Sequence, residues 1–495
     1  MESDQVVQEV ATLEGDSSSS VHLARNTMHL VFGQAATMVL GILFSAMLGR
    51  RLGTADFGLY FLINSLATFV FLVVDWGQQY FSIREVARSP GQGGELLGTG
   101  LALRGVGTLL VCLPAGLAAW AFGYDRRTIW FSVLFLLCSL PFFLAQNFGV
   151  VFRGQDRMGL DATVSVTNRA AGLVFAFAAL SVGLGLGGVV SMQFFAGLAA
   201  LWVAFLFYPR VKTGPLRVKK ATALRILVGG TPMVAIALAI GVQPYIDAVL
   251  LSKLAPPEVL GWFGAAKSIM GTLLAPAVIL GAAAFPRFSR ASHDPVALRR
   301  EITTAQRPML WLGGLVGVGT WIFADLAITV VYGGRAFGPA GEILSVFGLG
   351  MFLVFEDTLI GWALIAMGRA RILAAAKLAS VVLAVGLELV FIPYFQRTTE
   401  NGGVGVSLSF VVSEVVMFGG AVLFMPRGTV GRVLLVDGSR VLGCALATAL
   451  FFFWMPHFTP WLRVPLCVVV FTLLSVASGV LRREDLHVVK ALLRK

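Results

Sequence analysis

The sequence predicts an all-α polytopic membrane protein with about fourteen transmembrane helices. Three observations predict this fold class. Apolar residues make up 57% of the chain and charged residues 13%, against roughly 25% charged residues in a soluble domain. The mean hydropathy is +0.84, which leaves little room for a soluble domain. The 38 Lys and Arg residues fall mostly in or beside alternate connecting loops and both termini. Basic loops stay on the cytoplasmic side, so both termini are predicted to be cytoplasmic.

Each apolar segment supplies the roughly 20 helical residues that a hydrocarbon core of about 30 Å requires. The predicted spans are 28–49, 58–81, 96–123, 128–152, 161–184, 186–208, 224–251, 260–285, 304–332, 341–367, 371–394, 403–425, 432–455 and 461–481. The connections are short, so neighbouring helices are predicted to be antiparallel. The external, odd-numbered loops hold only about eight basic residues, whereas the cytoplasmic loops near 209–223 and 286–303 are strongly basic.

Two external turns indicate an internal repeat. Leu52–Tyr60 joins the first two spans, and Leu254–Trp262 joins the seventh and eighth, each with an acidic residue before a Gly-aromatic helix start. Six helices separate the turns, so the two halves share one orientation, as in a parallel repeat of six-helix bundles. The predicted parts are a disordered acidic cytoplasmic tail (1–24), an N-terminal six-helix bundle (25–210), a C-terminal six-helix bundle (211–427), two further transmembrane helices (428–482) and a basic cytoplasmic tail (483–495).

The seventh span contains two signals for a broken helix. Gly229–Pro232 and Gln243–Pro244 each place a proline inside the span, where it removes a backbone hydrogen bond. Broken spans commonly flank transporter sites. A merely kinked helix is the alternative interpretation.

Several functional classes find no support in the residues. The net charge of +12 comes from residues that flank spans, which favours anionic lipid headgroups over nucleic acid as the partner. The four cysteines lie inside spans and are interpreted as small buried hydrophobes. The five histidines have neither triad nor metal-ligand spacing, and no Walker loop occurs. We therefore expect no catalytic residue, no metal site and no cofactor, and a protein that is not an enzyme.

The residues at the start of both halves resemble a known family. Arg50–Tyr60, followed by Asp75–Gly77 and Arg84–Arg88, resembles the start of the polysaccharide-export flippases. These belong to the multidrug/oligosaccharidyl-lipid/polysaccharide (MOP) superfamily. Asp247–Ser252 followed by Glu258–Lys267 is similar to the start of that family's second bundle. The resemblance covers about residues 25–482.

The resemblance implies two six-helix bundles around a central cavity, with two C-terminal helices added. It also implies transport of a polyprenyl-diphosphate-linked oligosaccharide from the cytoplasmic to the outer leaflet of the cell (inner) membrane. The expected partners are this lipid-linked cargo and membrane lipids, with H⁺ or Na⁺ and a glycan polymerase or ligase complex as further candidates. A multidrug or small-metabolite antiporter of the same superfamily is the alternative function, and a membrane glycan polymerase or ligase is a more distant one.

Basic residues near or inside the spans are candidates for holding the anionic headgroup. A bare charge at mid-bilayer costs at least about 2.5–3.5 kcal/mol, so it should face a cavity or a partner. Several basic groups can bind two phosphates through charge-assisted hydrogen bonds. Snorkelling to the interface and interfacial salt bridging are the alternative interpretations. The predicted cationic cavity residues are Arg104, Arg169, Lys267, Arg84, Arg88 and Arg153.

Carboxylates at membrane depth are candidates for coupling to an ion. A buried carboxyl group can exchange a proton as a cavity changes its access. Glu388 also lies toward the outer end of the eleventh span. The alternative for the central carboxylates is a structural ion pair with a basic residue such as Lys377. The predicted ion-coupling residues are Glu356, Asp357, Glu414, Asp75 and Asp247.

Overall fold

The fold was determined as a computed structural model. It describes the backbone of residues 2–211, 213–425, 431–454 and 459–481. Side chains are described from Phe32 onward, apart from residues 235, 236, 239, 240, 431–433 and 460 within those ranges. The backbone of residues 2–24 is helical as the start of α1, which differs from the disordered tail predicted over 1–24, and the cytoplasmic side of this segment stays a prediction. The basic tail predicted over 483–495 lies outside the described residues.

The described residues form α-helices joined by short turns, without any β-strand. The α-helices are α1 (Glu2–Asp75), α2 (Gln78–Arg88), α3 (Gly93–Ala121), α4 (Arg126–Gly154), α5 (Met158–Ser181), α6 (Gly185–Phe207), α7 (Lys220–Gly241), α8 (Gln243–Leu254), α9 (Pro257–Leu273), α10 (Ala275–Ala291), α11 (Pro295–Tyr332), α12 (Ala340–Ala366), α13 (Ala370–Thr398), α14 (Gly402–Leu423), α15 (Gly431–Trp454) and α16 (Pro460–Ala477). Three short 3₁₀ turns lie at Pro90–Gln92, Tyr208–Arg210 and Arg335–Phe337.

The helices have the length and apolarity of membrane spans. Among the described residues, 11 helical stretches are long and apolar enough to cross a membrane, and Trp461–Ala477 is a shorter apolar helix. The first stretch, Phe32–Asp75, has 44 residues and contains most of the first and most of the second predicted span. The predicted all-α polytopic membrane fold is confirmed.

The first predicted span and most of the second lie in one helical run, α1, without a separate loop between them. The helical run of α1 is interrupted at Gly53, whose backbone adopts φ 78° and ψ 177°. This region is open essentially to glycine alone, which explains the residue at this position. The second predicted span, 58–81, is not one helix. Trp76 and Gly77 have positive φ angles of 47° and 72°, and α2 starts anew at Gln78.

The seventh predicted span contains one of its two predicted breaks. Pro232 lies inside a continuous α7, so the break predicted at Gly229–Pro232 is wrong. Gly230 packs there against the backbone of Trp76 and Gly77, and the glycines serve close packing. The helix does change at the second position, since α7 ends at Gly241 and α8 begins at Gln243 with a proline in its first turn. A proline is well accepted there because its missing N–H has no intrahelical partner.

The chain divides by its internal packing into two compact units. The first unit comprises Met1–Phe44 and Leu66–Ala235, and the second comprises Ser45–Ser65 and Ile236–Lys495. The division therefore falls inside α1 and inside α7, and not in the loop after residue 210. The boundaries of the predicted repeat bundles stay a prediction, because packing and repeat ancestry need not coincide.

Each unit has its own apolar core. In the first unit, Phe81, Leu97 and Phe152 pack together from α2, α3 and α4. In the second unit α12 is the central helix, because most of the residues in its apolar stretch are buried. Glycines bring α11 against it, because a Cβ added at Gly348 would meet the carbonyl oxygen of Gly317 at 3.0 Å. Small residues of this kind permit close helix contacts in lipid.

Candidate functional site: buried charged groups in the helices

The predicted charged residues fall into separate groups within the two units. In the first unit, Arg104 of α3 forms an ion pair with Asp75 at the end of α1. Arg104 also donates a hydrogen bond from Nη1 to the carbonyl oxygen of Phe143 at 2.9 Å, and its guanidinium lies 4.6 Å from the centre of the Phe143 ring. Its side chain is 1% exposed. The buried guanidinium is thus neutralised inside this unit.

Asp75 occupies this position because α1 ends there. The turn at Trp76 and Gly77 directs the chain into α2, and the Asp75 carboxylate also accepts a hydrogen bond from the backbone N–H of Gln79 at 3.4 Å. The sequence placed Asp75 among ion-coupling candidates and Arg104 among cargo-binding candidates. The structure brings the two together, and both assigned roles stay predictions.

The other predicted basic residues of the first unit are more accessible. Arg84 and Arg88 on α2 lie 3.8 Å from Glu85 and are 53% and 68% exposed. Arg153 at the end of α4 lies 3.3 Å from Asp161 of α5. Arg169 on α5 is exposed. Of the six predicted cationic residues, Arg84, Arg88 and Arg169 are those with exposed side chains.

Lys267 of α9 lies within a group of carboxyls and aromatic rings of the second unit. Its Nζ is 3.7 Å from Asp247 Oδ2 on α8. The same ammonium group lies 4.9 Å from the ring centre of Phe410, 5.1 Å from that of Phe347 and 5.7 Å from that of Phe263. Aromatic faces attract a cation through the ring quadrupole, more strongly where water is excluded. We call Lys267, Asp247 and Glu388 the Lys267 cluster.

Glu388 of α13 completes the Lys267 cluster. Its carboxyl lies beside that of Asp247, and each is 1% exposed. Both Asp247 oxygens and one Glu388 oxygen have no hydrogen-bond donor among the described groups. Two carboxyls therefore share one nearby ammonium group.

A second cluster of the same composition lies along α12, α13 and α14. Lys377 Nζ is 2.8 Å from Asp357 Oδ2 and 3.7 Å from Glu414 Oε1. The two carboxylates are 5% and 3% exposed. We call Lys377, Asp357 and Glu414 the Lys377 cluster. Lys267 is near enough to act electrostatically on Glu414, so the two clusters are neighbours.

Glu356 is separate from the adjacent Asp357 because neighbouring residues point in different directions around a helix. It is 0% exposed, and its Oε2 accepts a hydrogen bond from Gln306 Nε2 of α11 at 2.9 Å. Its Oε1 and the Gln306 Oε1 have no partner among the described groups. The described residues contain no group of three or more His, Cys, Asp or Glu side chains arranged for a metal ion.

Sequence reasoning missed several of these partners. Glu388 was noted for its depth only, and its pairing with Asp247 depends on α8 and α13 packing together. Phe347 and Phe410 belong to α12 and α14, and nothing in the sequence distinguishes them from other core aromatics. Phe263 carried a usable signal, because it precedes Lys267 by four residues and so lies on the same helix face. The alternative pairing of Lys377 with Asp357 is observed.

These helices define a polytopic helical membrane protein, and several solved structures share its fold. A lipid II flippase MurJ in an inward closed conformation superposes with a TM-score of 0.72 at 13% identity, covering 90% of this chain and 97% of that one. An inward-facing multidrug resistance MATE family transporter of the MOP superfamily gives 0.65 at 14% identity, with 79% and 94% covered. A mutant of the Vibrio cholerae MATE transporter VcmN gives 0.59 at 15% identity, with 85% and 98% covered. At these identities the likeness establishes the fold.

The family follows from the sequence itself. The family described as "Polysaccharide biosynthesis protein" matches residues 23–292, which is more than half of the chain. The chain belongs to this family, and it shares the fold of the lipid II flippase and the MATE transporters named above. The resemblance identified from Arg50–Tyr60 and the residues that follow is thereby confirmed. No curated protein matches the sequence significantly.

Proposed function

We propose that this protein is a flippase that carries a polyprenyl-diphosphate-linked oligosaccharide from the cytoplasmic to the outer leaflet of the cytoplasmic membrane. It works by alternating access, in which the two units change their relative arrangement and expose the cargo to one side and then the other. Family membership supports a place in polysaccharide assembly. The fold supports transport of a lipid-linked cargo, since a protein named as a lipid II flippase shares it.

The observation that carries the proposal is the excess of buried carboxyls in the second unit. Asp247, Glu356, Asp357, Glu388 and Glu414 are each at most 5% exposed. Beside them the described residues place two ammonium groups, those of Lys267 and Lys377. Five ionised carboxylates would leave three uncompensated charges at membrane depth, at a cost of at least about 2.5–3.5 kcal/mol each. These sites therefore require bound cations.

A transport cycle can use this requirement. H⁺ or Na⁺ that neutralises a carboxyl is retained while the group is buried and is released when the helices open to water. Because Lys377 bridges α12, α13 and α14, a change in charge on Asp357 or Glu414 changes the attraction that holds these helices together. The membrane potential or an ion gradient then supplies the energy for moving the cargo.

The cargo headgroup is a diphosphate and needs basic partners. Arg84, Arg88 and Arg169 have accessible side chains and are the favoured contacts in the present conformation. Arg104 at 1% exposure and Lys267 in its cluster act as internal counter-ions in this conformation. Charge-assisted hydrogen bonds from several arginines would fix the orientation of the headgroup as well as bind it.

A leaflet-accessibility assay tests the proposal. Purified protein is reconstituted into vesicles with a fluorescent lipid-linked oligosaccharide, and its arrival in the other leaflet is followed by quenching, with H⁺ and Na⁺ gradients applied separately. We expect transfer that a gradient accelerates. The double variant Asp357→Asn/Glu414→Gln should transfer cargo at the gradient-free rate, whereas Glu258→Gln, an exposed carboxylate at the start of α9, should behave like the parent. A full gradient response in the double variant contradicts coupling through the Lys377 cluster.

The likeness to MATE transporters favours a second candidate function, multidrug or small-metabolite antiport. The same vesicles distinguish it, because ion-coupled efflux of organic cations without glycolipid transfer would replace the flippase proposal. Formation of a longer glycan or of a ligated product by the purified protein would instead indicate a polymerase or ligase.

A further inference from the structure

The first unit contains a groove that the proposed transport cycle does not use. Its cavity of about 480 Å³ lies between the end of α1, the start of α2, α3 and the first half of α7. Most of its wall is apolar, and the side chains that form this wall include Val73, Leu103, Val106, Leu110, Ala223 and Leu227. We call this cavity the α3–α7 groove.

One end of the α3–α7 groove is polar and basic. Lys219, Lys220 and Thr99 line it there. Lys219 Nζ lies 2.6 Å from Glu95, and Lys220 is exposed. With one carboxylate beside two ammonium groups, this end keeps a net positive charge.

The rest of the groove extends away from the basic end along α3. Thr99 and Leu110 are 11 residues apart on this helix, which corresponds to about 16 Å at 1.5 Å per residue. The basic end belongs to the loop near 209–223, which the charge distribution predicts to be cytoplasmic. The groove therefore begins at the membrane surface and continues into the hydrocarbon region.

The two lysines are held in place by the segment that precedes α7. Residues 213–219 run against α3, where a Cβ at Gly94 would collide with the carbonyl of Gly214 and a Cβ at Gly98 would lie 2.8 Å from the carbonyl oxygen of Arg217. Thr99 Oγ1 accepts a hydrogen bond from the backbone N–H of Lys219 at 3.3 Å. The basic end is thus a fixed part of the first unit.

We propose that the α3–α7 groove binds one anionic phospholipid of the surrounding bilayer. The lysines contact its phosphate, and an acyl chain lies along the apolar wall. The charge at one end selects an anionic headgroup over a zwitterionic one. The length of the apolar wall selects a lipid over a free phosphate, because burial of methylene groups adds to the attraction of the charges.

Lipid-dependent thermal stability of the purified protein in detergent tests this site. Phosphatidylglycerol and phosphatidylcholine with the same acyl chains are titrated separately, with glycerol phosphate as the headgroup alone. We expect saturable stabilisation by phosphatidylglycerol, and none by phosphatidylcholine or glycerol phosphate. In Lys219→Gln/Lys220→Gln the affinity for phosphatidylglycerol should fall about 25-fold, since each basic side chain contributes about fivefold. Ala102→Phe, which fills the apolar wall, should abolish the effect.

A matched control separates this site from general attraction of anionic lipid. Arg299→Gln/Arg300→Gln removes two exposed charges from the other strongly basic loop, at the start of α11. This variant should keep the full response to phosphatidylglycerol. Equal losses in the control and the lysine variant would overturn the proposal, and so would equal stabilisation by phosphatidylcholine. Saturable stabilisation by glycerol phosphate alone would likewise overturn it. A folded Ala102→Phe protein with unchanged affinity would remove the groove as the binding site.

Discussion

Arg104 and Asp75 form an ion pair inside the first unit, and the arginine side chain is 1% exposed. The two residues lie 29 positions apart in the chain, on α3 and at the end of α1. The pair links the end of α1, just before the break at Trp76–Gly77, to α3. This places a fixed charge pair where the sequence predicted one cargo-binding group and one ion-coupling group.

The first prediction separates a structural role of this pair from a role in binding cargo. Arg104→Gln leaves the Asp75 carboxylate without its cation and should lower the free energy of unfolding by about 3–5 kcal/mol. Adding Asp75→Asn removes the orphaned charge and should recover most of that loss. Thermal unfolding in detergent measures both, and Arg84→Gln on the exposed face of α2 is the control. A double variant as unstable as the single one would show that the pair does not act as a unit.

The second prediction concerns Asp125, which lies outside the membrane-spanning segments and caps the start of α4. Its side chain accepts a hydrogen bond from the backbone N–H of Thr128 at 3.3 Å, and hydrogen bonding to Thr128 lowers the pKa of Asp125 below its ordinary value. A lowered pKa in the folded state gives stability that is present above the ordinary carboxyl pKa and is lost as pH falls through the folded-state pKa. Asp125→Ala should cost about 1 kcal/mol at neutral pH and less in acid.

The control for this prediction is Asp125→Asn. An asparagine can still cap the helix but does not titrate, so this variant should keep most of the stability and lose only the part of the acid dependence that Asp125 contributes. Thermal unfolding between neutral pH and about pH 3, around the ordinary aspartate pKa of about 3.9, measures the difference. A loss in Asp125→Ala that is the same at every pH would exclude the ionised cap.

The third prediction concerns Gly53, where α1 is interrupted. A Cβ added at this position meets nothing within 4 Å, so only its backbone conformation opposes a side chain. Gly53→Ala should lower the free energy of unfolding by about 1–3 kcal/mol. Gly41→Ala is the matched control, because Gly41 is also on α1 with open space around it. Its helical conformation makes alanine favourable by about 0.5–1 kcal/mol. Equal effects at both positions would contradict the assigned strain.

The sequence predicted the helical membrane fold well because bilayer thickness and loop charge impose strong, local patterns. It predicted the interruption near Gly53 and the change of helix at Gln243–Pro244, but it missed the break at Trp76–Gly77 and placed a further break at Gly229–Pro232, where α7 is continuous. At Gly229–Pro232, α7 packs closely against Trp76 and Gly77. The sequence cannot distinguish a glycine that is needed for close packing from one that is needed for a bend. Gly53, by contrast, lies in the segment Leu52–Tyr60, which the sequence predicts as a turn.

The candidate site was predicted in its residue types but not in its groupings. Depth along a span is readable from the sequence, so Asp247, Glu356, Asp357 and Glu414 were found. Which side chains face each other depends on helix rotation and packing between distant segments. The Lys267 cluster therefore joins a predicted cargo residue to a predicted coupling residue, together with Glu388. No local pattern in the chain carries that information.

The last prediction concerns how the final two helices attach to the second unit. Gly314 of α11 is buried, and a Cβ there would collide with Val441 of α15 and lie 3.0 Å from the ring of Phe471 on α16. Arg307 Nε, two turns earlier on α11, lies 3.3 Å from Asp437 of α15.

Gly314→Ala should therefore separate α15 and α16 from α11 and destabilise the protein by about 1–3 kcal/mol. Gly319→Ala, on the same helix with nothing within 4 Å of its added Cβ, should be neutral or stabilising. Thermal unfolding of both variants measures the difference, and a Gly314→Ala protein as stable as the Gly319→Ala protein would mean that α15 does not depend on this contact.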